Sequence, residues 1–382
     1  MKHQGIFVTG SAFLTDLPGG IQQCTREYIA TLRAASIDLH FCPCEPDSRR
    51  STRLMKKLWP SYYFRPFERG LVEKIRAMVE SSGAAFIFLN QVNLASIAAE
   101  LRSVISLDCR IVVLSHGLES TDLLHALRLK SDLRFTLPRY VFGEWLLGDT
   151  LLREVVYRSH VDLVLCLSPF DVELERWLGA RSAAWVPRTI TRGPLTWIPH
   201  GNRVGFVGTL DHPPNLEGLL IFLRNLSTKN PSGVRIRVVG GPDHLGRRLM
   251  EQFSMVDYLG SLSEDALIKE ASTWNCFAHP IFCYPRGCST KLATAISWQI
   301  PIVTTVPGCR GYIWSQGKLS IADGPDQFSD LCIKMMDDGI ARQARTEVSE
   351  VAKSSPSIAS TGRTLASILQ QTERHGGTDT SR

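Results

Sequence analysis

The chain has 382 residues, 44% of them apolar and 21% charged, with a formal net charge of +6. That length suits two domains of roughly 150 residues rather than one core, and the composition excludes a disordered or fibrous chain. The mild positive charge fits an anionic small molecule or an acidic surface, and is too diffuse to point to nucleic acid.

The opening MKHQGIFVTGS runs straight into a strand-like stretch, without the apolar region and cleavage site of a signal peptide. No apolar run reaches the ~20 residues of a membrane-spanning helix. The expectation is a cytoplasmic protein, with the inner face of the membrane as a further location. Ten cysteines are scattered along the chain, and Cys42 and Cys44 form C-x-C rather than C-x-x-C. They read as reduced structural thiols, and no metal site is expected.

Strand-like runs then alternate with helical patterns. GIFVTG, IDLHFC, AAFIFL, RIVVLS, VDLVLCLS and AAWVP fill the first half; RVGFVGT, RIRVVGG, VDYLG, NCFAHP, IPIVTT and KLSIA fill the second. Several are continuous apolar runs, as in strands covered on both faces. Alternating β and α implies parallel sheets with right-handed crossovers, and the count implies two of them. The expected fold is α/β, with two Rossmann-like parallel-sheet domains facing a cleft. Pro and Gly interrupt the periodicity across residues 186–206. The reading divides the chain into a first domain at 1–195, a second at 196–352, a last helix at 353–370 and a disordered tail at 371–382.

Ligands of open parallel sheets sit beyond the carboxyl ends of the strands, so the residues there are the candidates. Gly19 and Gly20 precede a helix, where backbone can approach a ligand; a plain flexible loop reads equally well. His116 ends RIVVLS and is followed by Gly117, a position suited to a substrate hydroxyl or phosphate, or to a hydrogen-bonded structural histidine. Gly208 and Thr209 end RVGFVGT. In PRGCSTKLATAISWQIPIVTT, the turn Gly287, Cys288, Ser289, Thr290 leads to Lys291 at the mouth of a helix. A cation there is unfavourable for the helix dipole, and a diphosphate would compensate it; the other reading is a tight connection whose lysine points to water. Residues 49–76 mix nine Lys or Arg with Leu, Trp, Tyr and Phe, a composition suited to an anionic membrane surface or to a solvated basic face. There is no D-x-D, HExxH, GxxxxGK[ST] or GxSxG, so metal-dependent transfer, zinc hydrolysis, P-loop chemistry and serine-elbow hydrolysis lose support.

The order of these pieces, from Gly5 to about Gln370, resembles the GT-B glycosyltransferases, within them the retaining group called family 4. The match is carried by Gly19-Gly20, His116, RVGFVGTLDHPPNLEGLLIFL and GCSTKLATAISWQIPIVTT. The resemblance implies a hexosyltransferase-type enzyme that takes a UDP- or GDP-sugar. The sugar would pass to a glycan, lipid-linked or small-molecule acceptor, with retention and without metal, as in polysaccharide assembly. The nucleotide-sugar is a substrate, so no cofactor is expected. His116 would contact the donor sugar and, with Lys291, serve catalysis. Gly19 and Gly20 would lie beside the diphosphate; Gly208, Thr209, Arg286, Gly287, Ser289, Thr290, Lys291 and Thr294 complete the expected donor site. Two glutamates of the family, eight positions apart, are replaced by Arg286 and Thr294. Arg286 therefore suggests a carboxylate-bearing sugar. The departures also support a second reading: a degenerate GT-B protein that binds a glycan or partner without transfer.

Overall fold

The computed structural model describes residues 3–15, 19–47, 67–131, 137–229 and 231–375, together with Arg49, Thr52 and Tyr63. The chain forms two compact units. The first comprises the residues up to Pro187, the tripeptide Arg286–Cys288 and the chain from Ser357; the second comprises Arg188–Pro285 and Ser289–Pro356.

All twelve strand-like runs form strands. In the first unit β1 (His3–Gly10), β2 (Ile37–Cys44), β3 (Phe86–Asn90), β4 (Arg110–Leu114), β5 (Leu163–Cys166) and β6 (Ala183–Trp185) make one sheet, in the order β2-β1-β3-β4-β5-β6. In the second unit β7 (Arg203–Val207), β8 (Arg235–Val239), β9 (Val256–Gly260), β10 (Cys276–Ala278), β11 (Ile302–Thr305) and β12 (Ser320–Ala322) are ordered β12-β11-β10-β7-β8-β9. Every neighbouring pair is parallel. The apolar runs are buried as their composition requires: β3 is covered at all five positions, and so is β11 at all four. Ile6, Val8, Ile87, Leu89, Ile111 and Val113 belong to the first core; Val204, Phe206, Leu219, Phe222, Ile236 and Phe328 belong to the second.

Strand order locates the crevices. A doubly wound sheet reverses direction at one point, and the loops leaving the two strands there diverge to opposite faces. In the first sheet that point lies between β1 and β3, and in the second between β7 and β10. The chain leaving β1, β7 and β10 carries Gly19, Gly20, Gly208, Thr209 and the segment 286–294, and His116 follows β4, the neighbour of β3.

The carboxyl-terminal reading needs correction. A helix over 353–370 was expected; instead Asp338–Ser354 and Ile358–His375 are separate helices. Pro356 cannot continue a helix. The first of the two starts at Asp337, whose side chain accepts from the Ile340 amide at 2.9 Å. The second packs on the helix Gly20–Ala34, with Gly362 against Ala34, and runs five residues past the expected start of a tail. All ten cysteines are free thiols. Most of the basic stretch at 49–66 lies outside the described residues; from Leu71 the chain is helical to Ser82.

Candidate functional site

In the second unit, β7 ends at Val207 and the chain turns through Gly208 and Thr209 into the helix Pro213–Lys229. Asn215, buried in that helix's first turn, donates from Nδ2 to the Thr209 carbonyl at 2.8 Å. Its Oδ1 accepts from Lys291 Nζ at 2.6 Å. Lys291 lies one residue into the helix Thr290–Trp298, and a methyl on Gly208 would sit 3.2 Å from its ammonium. The sequence thus brings Gly208, Thr209, Asn215 and Lys291 into one cluster at the switch point. No carboxylate pairs with Lys291 among the described residues. Desolvation by the packed surroundings lowers its pKa from 10.5 to about 8, so the ammonium is charged at neutral pH but poorly solvated.

The start of this helix is held in an unusual way. Ser289 is the N-cap residue, yet its hydroxyl caps no helix amide. It bonds instead to His279 Nε2 at 2.8 Å, while His279 Nδ1 meets Thr304 Oγ1 at 3.0 Å. Burial first, then Lys291 and Arg310, lower the His279 pKa to about 3 and keep the ring neutral. Tyr312 adds a second brace: its hydroxyl donates to the Ser289 carbonyl and accepts from the Ala293 amide at 3.0 Å. The result is a rigid helix start with its positive dipole end and Lys291 on the same turn. Thr294 is turned inward on its own helix, donating to the Thr290 carbonyl at 3.2 Å.

In the first unit, β1, β3 and β4 end in a polar network around His116. Asn90 Nδ2 donates to Thr9 Oγ1 at 2.8 Å and to Thr25 Oγ1 at 2.9 Å. Its Oδ1 therefore faces His116 Nε2, 2.8 Å away. An amide oxygen can only accept, so Nε2 carries a proton and donates it to Asn90. Tyr28 packs beside the imidazole, its ring centroid 5.6 Å away, and its hydroxyl donates to the Ser115 carbonyl at 2.9 Å. Gly19 and Gly20 open the same helix that supplies Thr25 and Tyr28.

Arg286 and Gly287 also belong to this unit. Arg286 pairs with Glu119 and with Asp122, the latter at 3.0 Å, and its amide donates to Asp122 at 3.0 Å. The sequence assigned this guanidinium a carboxylate on the sugar; two carboxylates of the chain already satisfy it. Gly287 has φ +60 and Gly117 φ +97. A Cβ on Gly287 would collide with the His116 carbonyl, and one on Gly117 with the Gly287 amide. The small-residue turn lets backbone approach backbone. His116, Gly19, Gly20, Arg286 and Gly287 thus lie in the first unit; Gly208, Thr209, Ser289, Thr290, Lys291 and Thr294 lie in the second.

Sequence reasoning missed His279 and Tyr312. His279 ends the strand NCFAHP as His116 ends RIVVLS, and the same positional argument would have found it. Tyr312 had no local signal. Among the described residues no group of His, Cys, Asp and Glu is arranged to hold a metal, and no helix is long and apolar enough to cross a membrane.

Two parallel six-stranded sheets of this order define the GT-B glycosyltransferase fold, and this chain has it. Residues 201–338 match the family described as glycosyl transferases group 1, which covers the cluster around Gly208, Asn215 and Lys291. Sucrose-phosphate synthase from Thermosynechococcus elongatus superposes with a TM-score of 0.66 over 97% of this chain and 98% of its own, at 14% identity. HepE from Anabaena, solved with UDP and glucose, gives 0.63 over 97% and 100%, at 13% identity. The lipopolysaccharide outer core galactosyltransferase WaaB gives 0.58 over 96% and 99%, at 13% identity. No curated protein matches the chain in sequence.

Proposed function

We propose that the protein is a glycosyltransferase that moves a hexose from a UDP- or GDP-sugar to a glycan, lipid-linked or small-molecule acceptor. One observation carries this reading: Lys291 stands at a helix start beside Gly208, desolvated and, among the described residues, partnered by a neutral amide with no carboxylate. Such a site gains from a ligand with negative oxygens, and a diphosphate supplies them where helix amides, dipole and ammonium converge. HepE, of the same fold, is described in complex with UDP and glucose.

In this reading Lys291 and the first-turn amides of the helix Thr290–Trp298 stabilise charge on the departing diphosphate. That supports transfer without a metal, since a fixed cation occupies the position where charge develops. Retention follows if the acceptor approaches from the face that the nucleotide leaves. His116, held by Asn90 at the end of a strand, suits a hydroxyl-bearing sugar, and Gly19-Gly20 would let backbone come near it. A cytoplasmic site at the inner membrane face fits nucleotide-sugar supply, and membrane contact through residues 49–76 belongs to the same proposal.

Calorimetry with UDP and GDP, together with sugar release from their conjugates, tests the reading. Nucleotide affinity lost in Lys291→Met, with turnover in the parent protein, is the expected result. The alternative is binding without transfer, and one observation favours it. Arg286 is paired with acids of the chain and Thr294 bonds within its own helix, so neither family glutamate position offers a carboxylate. Nucleotide binding with no sugar release would select that alternative; neither binding nor release would sink both.

A further inference from the structure

The helix Leu137–Arg158 is built inside out. Its buried face carries Thr150, Glu154 and Arg158, each fully covered. Glu154 accepts from Tyr63 Oη at 2.6 Å, from Ser120 Oγ at 2.5 Å and from the Ser120 amide at 3.2 Å. Arg158 is paired with Glu175, Nη2 to Oε1 at 2.9 Å. Its outer face carries Val141, Phe142, Trp145, Leu152, Val155 and Val156, between 40% and 68% exposed. At 100° per residue, Val141, Trp145, Leu152 and Val156 fall within about 60° of one another, a stripe ~22 Å long. Water-facing helices put polar groups outward. This one reverses the rule over four turns, which marks a surface that meets something apolar.

Charge identifies what it meets. Tyr63, tied to Glu154 and packed 5.9 Å from the Tyr157 ring, comes from the stretch 48–66, which holds six Lys or Arg and no Asp or Glu. Immediately before the helix and into its first turn, residues 128–139 contain Arg128, Lys130, Arg134 and Arg139 against Asp132 alone. An apolar stripe that follows one basic segment in the chain and is tied through Tyr63 to a second, with a tryptophan within it, has the composition that lies in the interface of an anionic bilayer.

We infer that the outer face of the helix Leu137–Arg158 is a lipid-contact surface that seats the first unit on an anionic membrane. The inference extends the membrane contact proposed for residues 49–76, requires no sugar transfer, and puts the apolar half of that contact on a helix that the sequence did not single out. The test is co-sedimentation of the full chain with vesicles of phosphatidylcholine alone, or mixed equally with phosphatidylglycerol. The parent protein should pellet with the mixed vesicles and far less with the neutral ones. Leu152→Glu/Val156→Glu should weaken that partition by about tenfold or more, with an unchanged melting temperature. Leu152→Ser/Val156→Ser serves if the charges disturb folding. A parent protein that stays in the supernatant, or a double variant that binds as well as the parent, overturns the inference. So does light scattering that shows a dimer dissolved by the same substitutions without vesicle binding, since the face would then be a protein interface.

Discussion

At the switch point of the second sheet a lysine and a helix start meet with no acid beside them; at that of the first, a histidine is fixed by a chain of neutral groups. Lys291 touches the Asn215 amide, and its counterpart His116 touches the Asn90 amide. An asparagine backs each group, yet the outcomes differ. Asn90 gives its N–H groups to Thr9 and Thr25 and so turns its oxygen to His116 Nε2. Asn215 gives its N–H group to a carbonyl and offers Lys291 an oxygen that stabilises but does not neutralise. The acids near His116, Glu119 and Asp122, are both engaged by Arg286. The lesson is one of electrostatic division: one unit holds a desolvated cation beside a neutral amide, the other a histidine whose nearby acids are engaged elsewhere.

The sharpest way to break this comparison is Lys291→Met. Loss of a fixed cation aimed at a leaving diphosphate should lower kcat/KM on the order of 10²–10³-fold, measured with whichever nucleotide-sugar proves active. Melting should be no lower than in the parent, because the substitution removes a desolvated charge. Next in size is Gly287→Ala. Its φ of +60 and the collision of a Cβ with the His116 carbonyl should cost about 1–3 kcal/mol in urea titration. A variant as stable as the parent would mean that the turn does not pack as described. His116→Ala should act differently from Lys291→Met: turnover falls about tenfold, the value of one hydrogen bond in the reacting complex, while UDP or GDP affinity stays near the parent's. Equal loss of nucleotide affinity in both variants would erase the distinction between the units.

Much of the fold was legible because buried parallel strands write continuous apolar runs, and twelve such runs gave twelve strands. Pro356 was equally legible as a helix stop, yet the reading carried one helix across it. The candidate site was legible only in part. Lys291 could be singled out because a cation at a helix start needs a reason. Arg286 was misjudged because its partners, Glu119 and Asp122, are more than 160 residues away in the chain, and no local pattern announces such a pairing. Gly287 was placed in the expected donor site, and the structure brings backbone from His116 and Gly117 against it. A turn of small residues states that something comes close; it does not state what.

The mildest effect is also the most specific to the lysine. With a pKa of about 8 in the free protein, Lys291 is mostly charged at pH 7 and half neutral one unit higher. Nucleotide affinity should therefore be about twofold weaker at pH 8 than at pH 7 and should keep falling above that. Binding an anion raises the lysine's pKa, so calorimetry in buffers of different ionisation enthalpy should reveal proton uptake near pH 8. The free protein gives the opposite slope. Between about 8 and 10.5 the unfolded chain holds more protons at this group than the folded one, so its contribution to stability rises with pH across that window. Lys291→Met should flatten both slopes. A parent whose affinity is level from pH 7 to 9 would mean that the ammonium does not face the ligand, and the asymmetry between the two switch points would then need another origin.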